Sequence, residues 1–273
     1  MLLELHCHSW YSQGTRITWE GLDSPEKMIK RAKMLGIEGI AITDHNVLTR
    51  VKADDILVIP GMEVTVNSNG KEKHIIALGI EDEIPPQLSV GETIDRIHEQ
   101  GGLAVACHPF DVYGKGIRSE AKFCDAIEVF NPLNQERISN WKARRLARKF
   151  NLPEVAGSDA HCVEMLGYGL TDVPSATDVD SVLKAIKKGR TRLFTKYYSI
   201  PTLVNWYTIR LRLSYFDVLK YLDTKGKLKK VAGKNLLKLI RKSPGRVDYL
   251  FRGIAYIGLG GAFIYSLARG LTS

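Results

Sequence analysis

Up to about residue 196, short aliphatic and β-branched runs alternate with stretches of helical period, the pattern of successive βα units. The strand-like runs are LLELH, EGIAIT, ILVIP, HIIALGI, LAVACH, AIEVF, PEVAG and TRLFT. Helices are predicted between them. Ser24-Pro25 opens one in the preferred cap and first-turn order, with Met28, Ala32 and Leu35 inward and Gly36 at its end. A second sets Ile94 and Ile97 on one face before Gly101-Gly102, with His98 at the edge of that apolar side. A third turns Ala143, Leu146, Ala147 and Phe150 inward and Arg144, Arg145, Arg148 and Lys149 outward. The fourth carries Val179, Val182, Leu183 and Ile186 at i, i+3, i+4 and i+7. Seven or eight strands with interleaved helices predict a barrel or a doubly wound sheet. No glycine-rich dinucleotide or phosphate loop follows any strand.

Charge divides the chain in two. Residues 197–273 hold 14 Lys and Arg against 3 Asp and Glu, whereas residues 1–196 hold 25 against 27. The first part reads as an enzyme-sized α/β domain, the second as a basic helical extension that is partly hydrophobic. Within the extension, KGKLKKVAGKNLLKLIRK has the pattern of a basic amphipathic helix, suited to an anionic membrane or a phosphate backbone. Residues 253–268, GIAYIGLGGAFIYSLA, are uncharged and stand between Arg252 and Arg269, just short of a usual membrane span. Packing on the first domain or on a second copy fits them equally. Cys7, Cys107, Cys124 and Cys162 form no CxxC, and the N-terminus shows no secretory pattern, so a reducing, cytoplasmic setting is expected, with membrane association through the extension as a variant.

Candidate chemistry gathers at strand ends. His6-Cys7-His8 closes the first strand, and alternation puts both imidazoles on one face, a preset chelate. Thr43-Asp44-His45, Pro60-Gly61-Met62-Glu63 with His74 on the next strand, Cys107-His108-Pro109 and Gly157-Ser158-Asp159-Ala160-His161 follow in order. In α/β barrels such positions converge on one mouth. Six histidines and two carboxylates there would repel one another and be costly to desolvate unless cations organised them. The donor mixture suits manganese, zinc or iron. The same alternation turns Cys7 and Cys107 away from the mouth.

HCHS, TDHN, PGMEV with its downstream histidine, CHPF and GSDAH resemble the PHP (polymerase and histidinol phosphatase) family of metal-dependent phosphoesterases over residues 2–196. The resemblance implies a distorted (β/α)7 barrel with two or three divalent metals. His6, His8 and Asp159 would hold one metal with Glu63 as a bridge; Glu63, His74 and His108 would hold the second; His45 and His161 would serve a third. Many members of that family with a nucleotide or small-phosphate substrate carry Asp where Gln13 stands, and an amide is a poorer ligand, so a weaker third site is expected. Asp44, His45 and His161 are the candidates for proton transfer, Asp44 through orientation of His45. Arg118, Arg137 and Lys115 are candidates to grip phosphate, and Asn131 and Asn134 to line the mouth. The expected substrate is a phosphorylated small molecule or short oligonucleotide of nucleotide type. Alternatives are another small phosphate such as histidinol phosphate, or a metal-stabilised interaction module with weakened catalysis. Oligomeric state is left open by the sequence.

Overall fold

A computed structural model describes residues 1–12, 19–227, 231–242 and 245–272. Among the described residues, ten strands form two five-stranded sheets. The first contains β1 (Leu2–Cys7), β2 (Gly39–Ile42), β3 (Leu57–Val58), β9 (Gly169–Asp172) and β10 (Arg192–Thr195), in the order β10-β9-β1-β2-β3. The second runs in chain order through β4 (Gly61–Ser68), β5 (Lys71–Leu78), β6 (Leu103–Ala106), β7 (Ala126–Phe130) and β8 (Glu154–Ala156).

The sheets face each other across one core. Leu3, Leu5, Ala41 and Ile59 meet Ile76, Leu78, Leu103, Val105, Ala126 and Val155, with Val182, Leu183 and Ile186 from α4 (Val179–Lys187) added to the same cluster. The outer face of the second sheet packs on α2 (Val90–Glu99) and α3 (Ile138–Phe150). That of the first packs on α1 (Pro25–Met34).

The expected (β/α)7 barrel is corrected in two respects. Single bridges, Cys7 to Ala160 and His45 to Glu63, join the sheets where a closed barrel would have continuous ladders. Strict βα alternation also fails, because β4 and β5 form an antiparallel hairpin around Asn69-Gly70 and β9 runs antiparallel to both β1 and β10. The amide–glycine pair favours a tight reversal there, since Asn69 and Gly70 both take positive φ, 54° and 74°. His98, expected at a core edge, is exposed and bonds Asp125 at 2.7 Å.

The extension continues as α5 (Ile200–Thr224), α6 (Val231–Arg241) and α7 (Arg246–Thr272). Ser199 caps α5, its hydroxyl accepting from the Thr202 N–H at 3.2 Å, and Pro201 occupies its first turn. Tyr198, Leu203 and Trp206 are buried in the cluster that also holds Met28, Ile40 and Ile42, so α5 is packed on the first sheet.

Candidate metal centre and active site

Four ligand atoms surround one point. His6 Nε2 lies 3.2 Å from His8 Nε2, 3.3 Å from Glu63 Oε2 and 3.5 Å from Asp159 Oδ1; His8 Nε2 lies 3.1 Å from Glu63 Oε2 and 3.3 Å from Asp159 Oδ1. Ligands about 2.0–2.2 Å from a tetrahedral ion stand about 3.3–3.6 Å apart, so this spacing suits one cation. The other oxygen of the same carboxylate faces a second group. Glu63 Oε1 is 2.8 Å from His74 Nδ1 and 3.0 Å from His108 Nε2. Glu63 thus connects the two sets from the centre.

A third group was legible only in part. His45 Nε2 is 3.4 Å from Glu20 Oε2, and His161 Nε2 is 3.8 Å from Glu20 Oε1. Gln13 falls outside the described residues. Glu20, which no motif singled out, therefore supplies a carboxylate between these two histidines. Gly21 permits the approach: a Cβ there would stand 2.0 Å from the Ser9 carbonyl oxygen.

Burial and charge set the protonation of the metal-free cluster. Burial alone would discharge His8, but the Asp159 and Glu63 carboxylates outweigh it and raise its pKa to about 10. His108 rises to about 9 against the same burial, through Glu63. His45 falls to about 3, chiefly by desolvation, with His74 and His8 adding repulsion. Glu20 drops to about 2 despite burial because His45 and His161 face it. The donors fit divalent metal: Glu20 Oε2 and His45 Nδ1 are buried with no hydrogen-bond partner among the described residues, and nitrogen and carboxylate ligands are mixed.

Neighbouring residues hold the ligands. Glu128 accepts from His6 Nδ1 at 2.8 Å, from the His108 N–H at 2.8 Å and from Asn131 Nδ2 at 3.1 Å. Gly157 lets β8 pass close by, since a Cβ would lie 2.4 Å from His6 Cβ and 2.5 Å from Glu128 Oε1. His108 and Asp159 have φ of 27° and 49°, a backbone strain of about 1–3 kcal/mol each that occurs where side chains are aimed for function.

Several expected roles change. Asp44 accepts from the Ser9 N–H and hydroxyl, both at 2.6 Å, and from Thr49, so it holds the turn after His8 rather than orienting His45. Cys107 is not turned away: its Sγ is 3.4 Å from Glu63 Oε1, because β6 ends at Ala106 and the turn at His108 breaks the alternation. Cys7 bonds the Ala41 carbonyl instead. All four cysteines are buried free thiols. Asn131 and Asn134 line the cavity above the cluster, about 390 Å³ in volume, as does Lys115. Arg118 and Arg137 do not. Both are exposed at positive φ, each at the entry to a helical turn, and Arg137 lies over the Tyr197 ring at 5.0 Å. The cavity takes Trp206, Tyr207 and Arg210 from α5, a helix that the sequence places in the extension and outside the first domain.

Fold and site together define a metal-dependent hydrolase of phosphoester bonds. The family model for the PHP domain matches residues 4–113, and that described as PHP-associated matches residues 137–191; the chain belongs to the PHP family. An uncharacterised protein of Methanocaldococcus jannaschii is 38% identical over 150 residues, covering 51% of this chain and 87% of its own. A phosphoribosyl 1,2-cyclic phosphate 1,2-diphosphodiesterase of Eggerthella lenta is 29% identical over 108 residues, 36% of this chain and 38% of that protein. A two-domain protein of Bacteroides vulgatus described as containing a predicted PHP-like metal-dependent phosphoesterase shares the fold, with a TM-score of 0.53 and 19% identity over 71% of this chain and 64% of the other.

Proposed function

We propose that the protein hydrolyses a nucleotide-like phosphate ester, as a nucleotide phosphatase or a 5′-to-3′ exonuclease, with two or three divalent ions of manganese, zinc or iron. The observation that carries this reading is Glu63, whose two oxygens face separate groups of imidazoles beneath one cavity. The ligand sets are His6, His8, Glu63 and Asp159 for one ion, Glu63, His74 and His108 for a second, and His45, His161 and Glu20 for a third. Ions held by these residues would supply an acidified water and positive charge to offset that of the phosphoryl group. His45, with its lowered pKa, is neutral near pH 7 and has no proton to give. Where no third ion is held, proton delivery to the leaving oxygen falls to His161, which reaches the cavity and whose Nδ1 lies 2.8 Å from the Asp159 carbonyl oxygen. The ribose phosphate chemistry in the Eggerthella lenta relative's name supports a nucleotide-like substrate.

The test is phosphate release from a panel of nucleotides and 5′-phosphorylated oligonucleotides with each metal, alongside Glu63→Gln. Loss of bound metal and of turnover in the variant is expected. Turnover and metal retained by the variant remove Glu63 from the centre of the site, whereas turnover absent from the wild type with every metal removes the hydrolase reading and leaves the interaction module.

A second reading concerns location. α7 is long and apolar enough to cross a membrane over Arg246–Ala268, with 17% of its most apolar stretch buried. That exposure favours attachment of the extension to an anionic membrane.

A further inference from the structure

The outer wall of the cavity comes from a helix that lies beyond both matched family regions. Trp206 is wedged between His161 and Tyr207, ring centroids 4.7 and 4.5 Å away, and its indole N–H donates to the Glu20 carbonyl at 3.2 Å. This anchors the turn of α5 that carries Arg210 four residues on. The Arg210 side chain is one-tenth exposed, sits 5.5 Å from the Trp206 ring and places Nη2 3.6 Å from Glu20 Oε1. Lys115, the other Lys or Arg on the lining among the described residues, is more exposed and bonds Glu72 at 3.0 Å. Tyr113, 61% exposed, and Tyr207 both line the cavity, and their hydroxyls meet at 3.1 Å at its solvent-facing side.

We propose that Arg210 grips a phosphoryl oxygen of the substrate and that the Tyr113–Tyr207 pair narrows the entrance, so that this wall selects phosphomonoesters and chain ends over internal phosphodiesters. The proposal rests on the reading of the site as a phosphoesterase. A planar guanidinium offers paired N–H donors to phosphate oxygens, and its burial strengthens that attraction relative to a cation in water. Glu20 holds the fork in place beside the histidine and carboxylate cluster before substrate arrives. A cavity of about 390 Å³ is of the size that takes a small molecule. A continuous strand would have to pass where the two tyrosines touch; a terminal phosphate needs only to enter.

Calorimetric binding of a nucleoside 5′-monophosphate and of inorganic phosphate to the full-length, metal-loaded chain tests the grip without requiring turnover. Arg210→Gln is expected to weaken both by about 10- to 100-fold, and Arg210→Lys to recover part of the loss. Affinity unchanged in Arg210→Gln, with a lowered melting temperature, would show that the guanidinium only stabilises α5 and would overturn the grip. For the entrance, a circular single-stranded oligonucleotide should compete poorly with the monophosphate in the wild type and well in Tyr113→Ala, a substitution at an exposed side chain. Equal competition in the two proteins overturns the selection. A chain that binds in this way yet releases no phosphate with any metal would keep the wall and lose the hydrolase reading, so the two failures are distinguishable.

Discussion

Glu128 decides which nitrogen of His6 faces the cluster. Its carboxylate has only acceptors, so His6 Nδ1 must carry the proton and Nε2 is left with the lone pair a metal needs. Glu128→Gln offers an NH₂ at the same place and permits the other tautomer. Metal affinity is expected to fall about 10- to 100-fold with the fold retained, read by competition with a chelating dye and by circular dichroism. A second expectation concerns protons. His8 and His108 keep theirs to about pH 10 and 9 in the metal-free cluster, above the ordinary 6.5. Their ion pairs therefore stabilise the metal-free protein fully below pH 6.5 and are lost as pH rises through those values. Bound metal requires the same nitrogens deprotonated, so its affinity should rise over that range. Melting curves with and without chelator should diverge from pH 7 to 9.5: the metal-free protein loses stability while the gap to the loaded protein widens. Curves that stay parallel would mean the imidazoles are already neutral.

At the scale of elements, α5 shows where sequence reading succeeded and where it stopped. The motifs were legible because each pairs an apolar run with polar residues of unusual type, and the structure gathers His6, His8, Glu63, His74, His108 and Asp159 from four of them, Glu63 and His74 from within β4 and β5. Glu128 was missed although a lone carboxylate inside AIEVF is itself a signal of a buried partner. Glu20 gave no signal, since its loop acquires meaning only from Gly21 packing on Ser9. Its net charge makes the extension read as one basic object, yet YYSIPTLVNWYTI, residues 197–209, carries no charge, and the basic residues concentrate beyond residue 224. Leu203, Val204 and Trp206 are each at most 3% exposed. Burial of a large apolar side chain contributes about 1.5–3 kcal/mol, so three together rival a net stability of about 5–15 kcal/mol. A chain ending at residue 196 is thus expected to melt far lower than the full chain or to aggregate, whereas one ending after Thr224 should retain much more of its stability. Equal melting temperatures for the full chain and the chain ending at 196 would show that α5 only rests on the domain.

The molecule as a whole sets a cavity formed by the domain and α5 against an extension whose far half is poorly covered. Tyr249, Ile257, Ile264 and Tyr265 of α7 are all more than half exposed, far more apolar surface than a helix in a packed core presents. Leu236 and Leu239 of α6 are also exposed, on a helix with Lys234, Lys238 and Arg241 and followed by Lys242. Basic residues beside an apolar helix suit an anionic bilayer, where each Lys or Arg near the surface adds about 1 kcal/mol of attraction that salt screens, while apolar insertion persists. Flotation of the full chain with phosphatidylserine-containing vesicles is expected at low salt and to be reduced but not abolished at high salt. A chain ending after Thr224 should remain unbound, since α6 and α7 are gone. Neutralising Lys234, Lys238 and Lys242 to Gln should reduce the salt-sensitive part alone. If the full chain instead stays in solution and sediments as a dimer that dissociates on truncation after Thr224, the exposed face of α7 belongs to a second copy of the protein and the membrane reading fails.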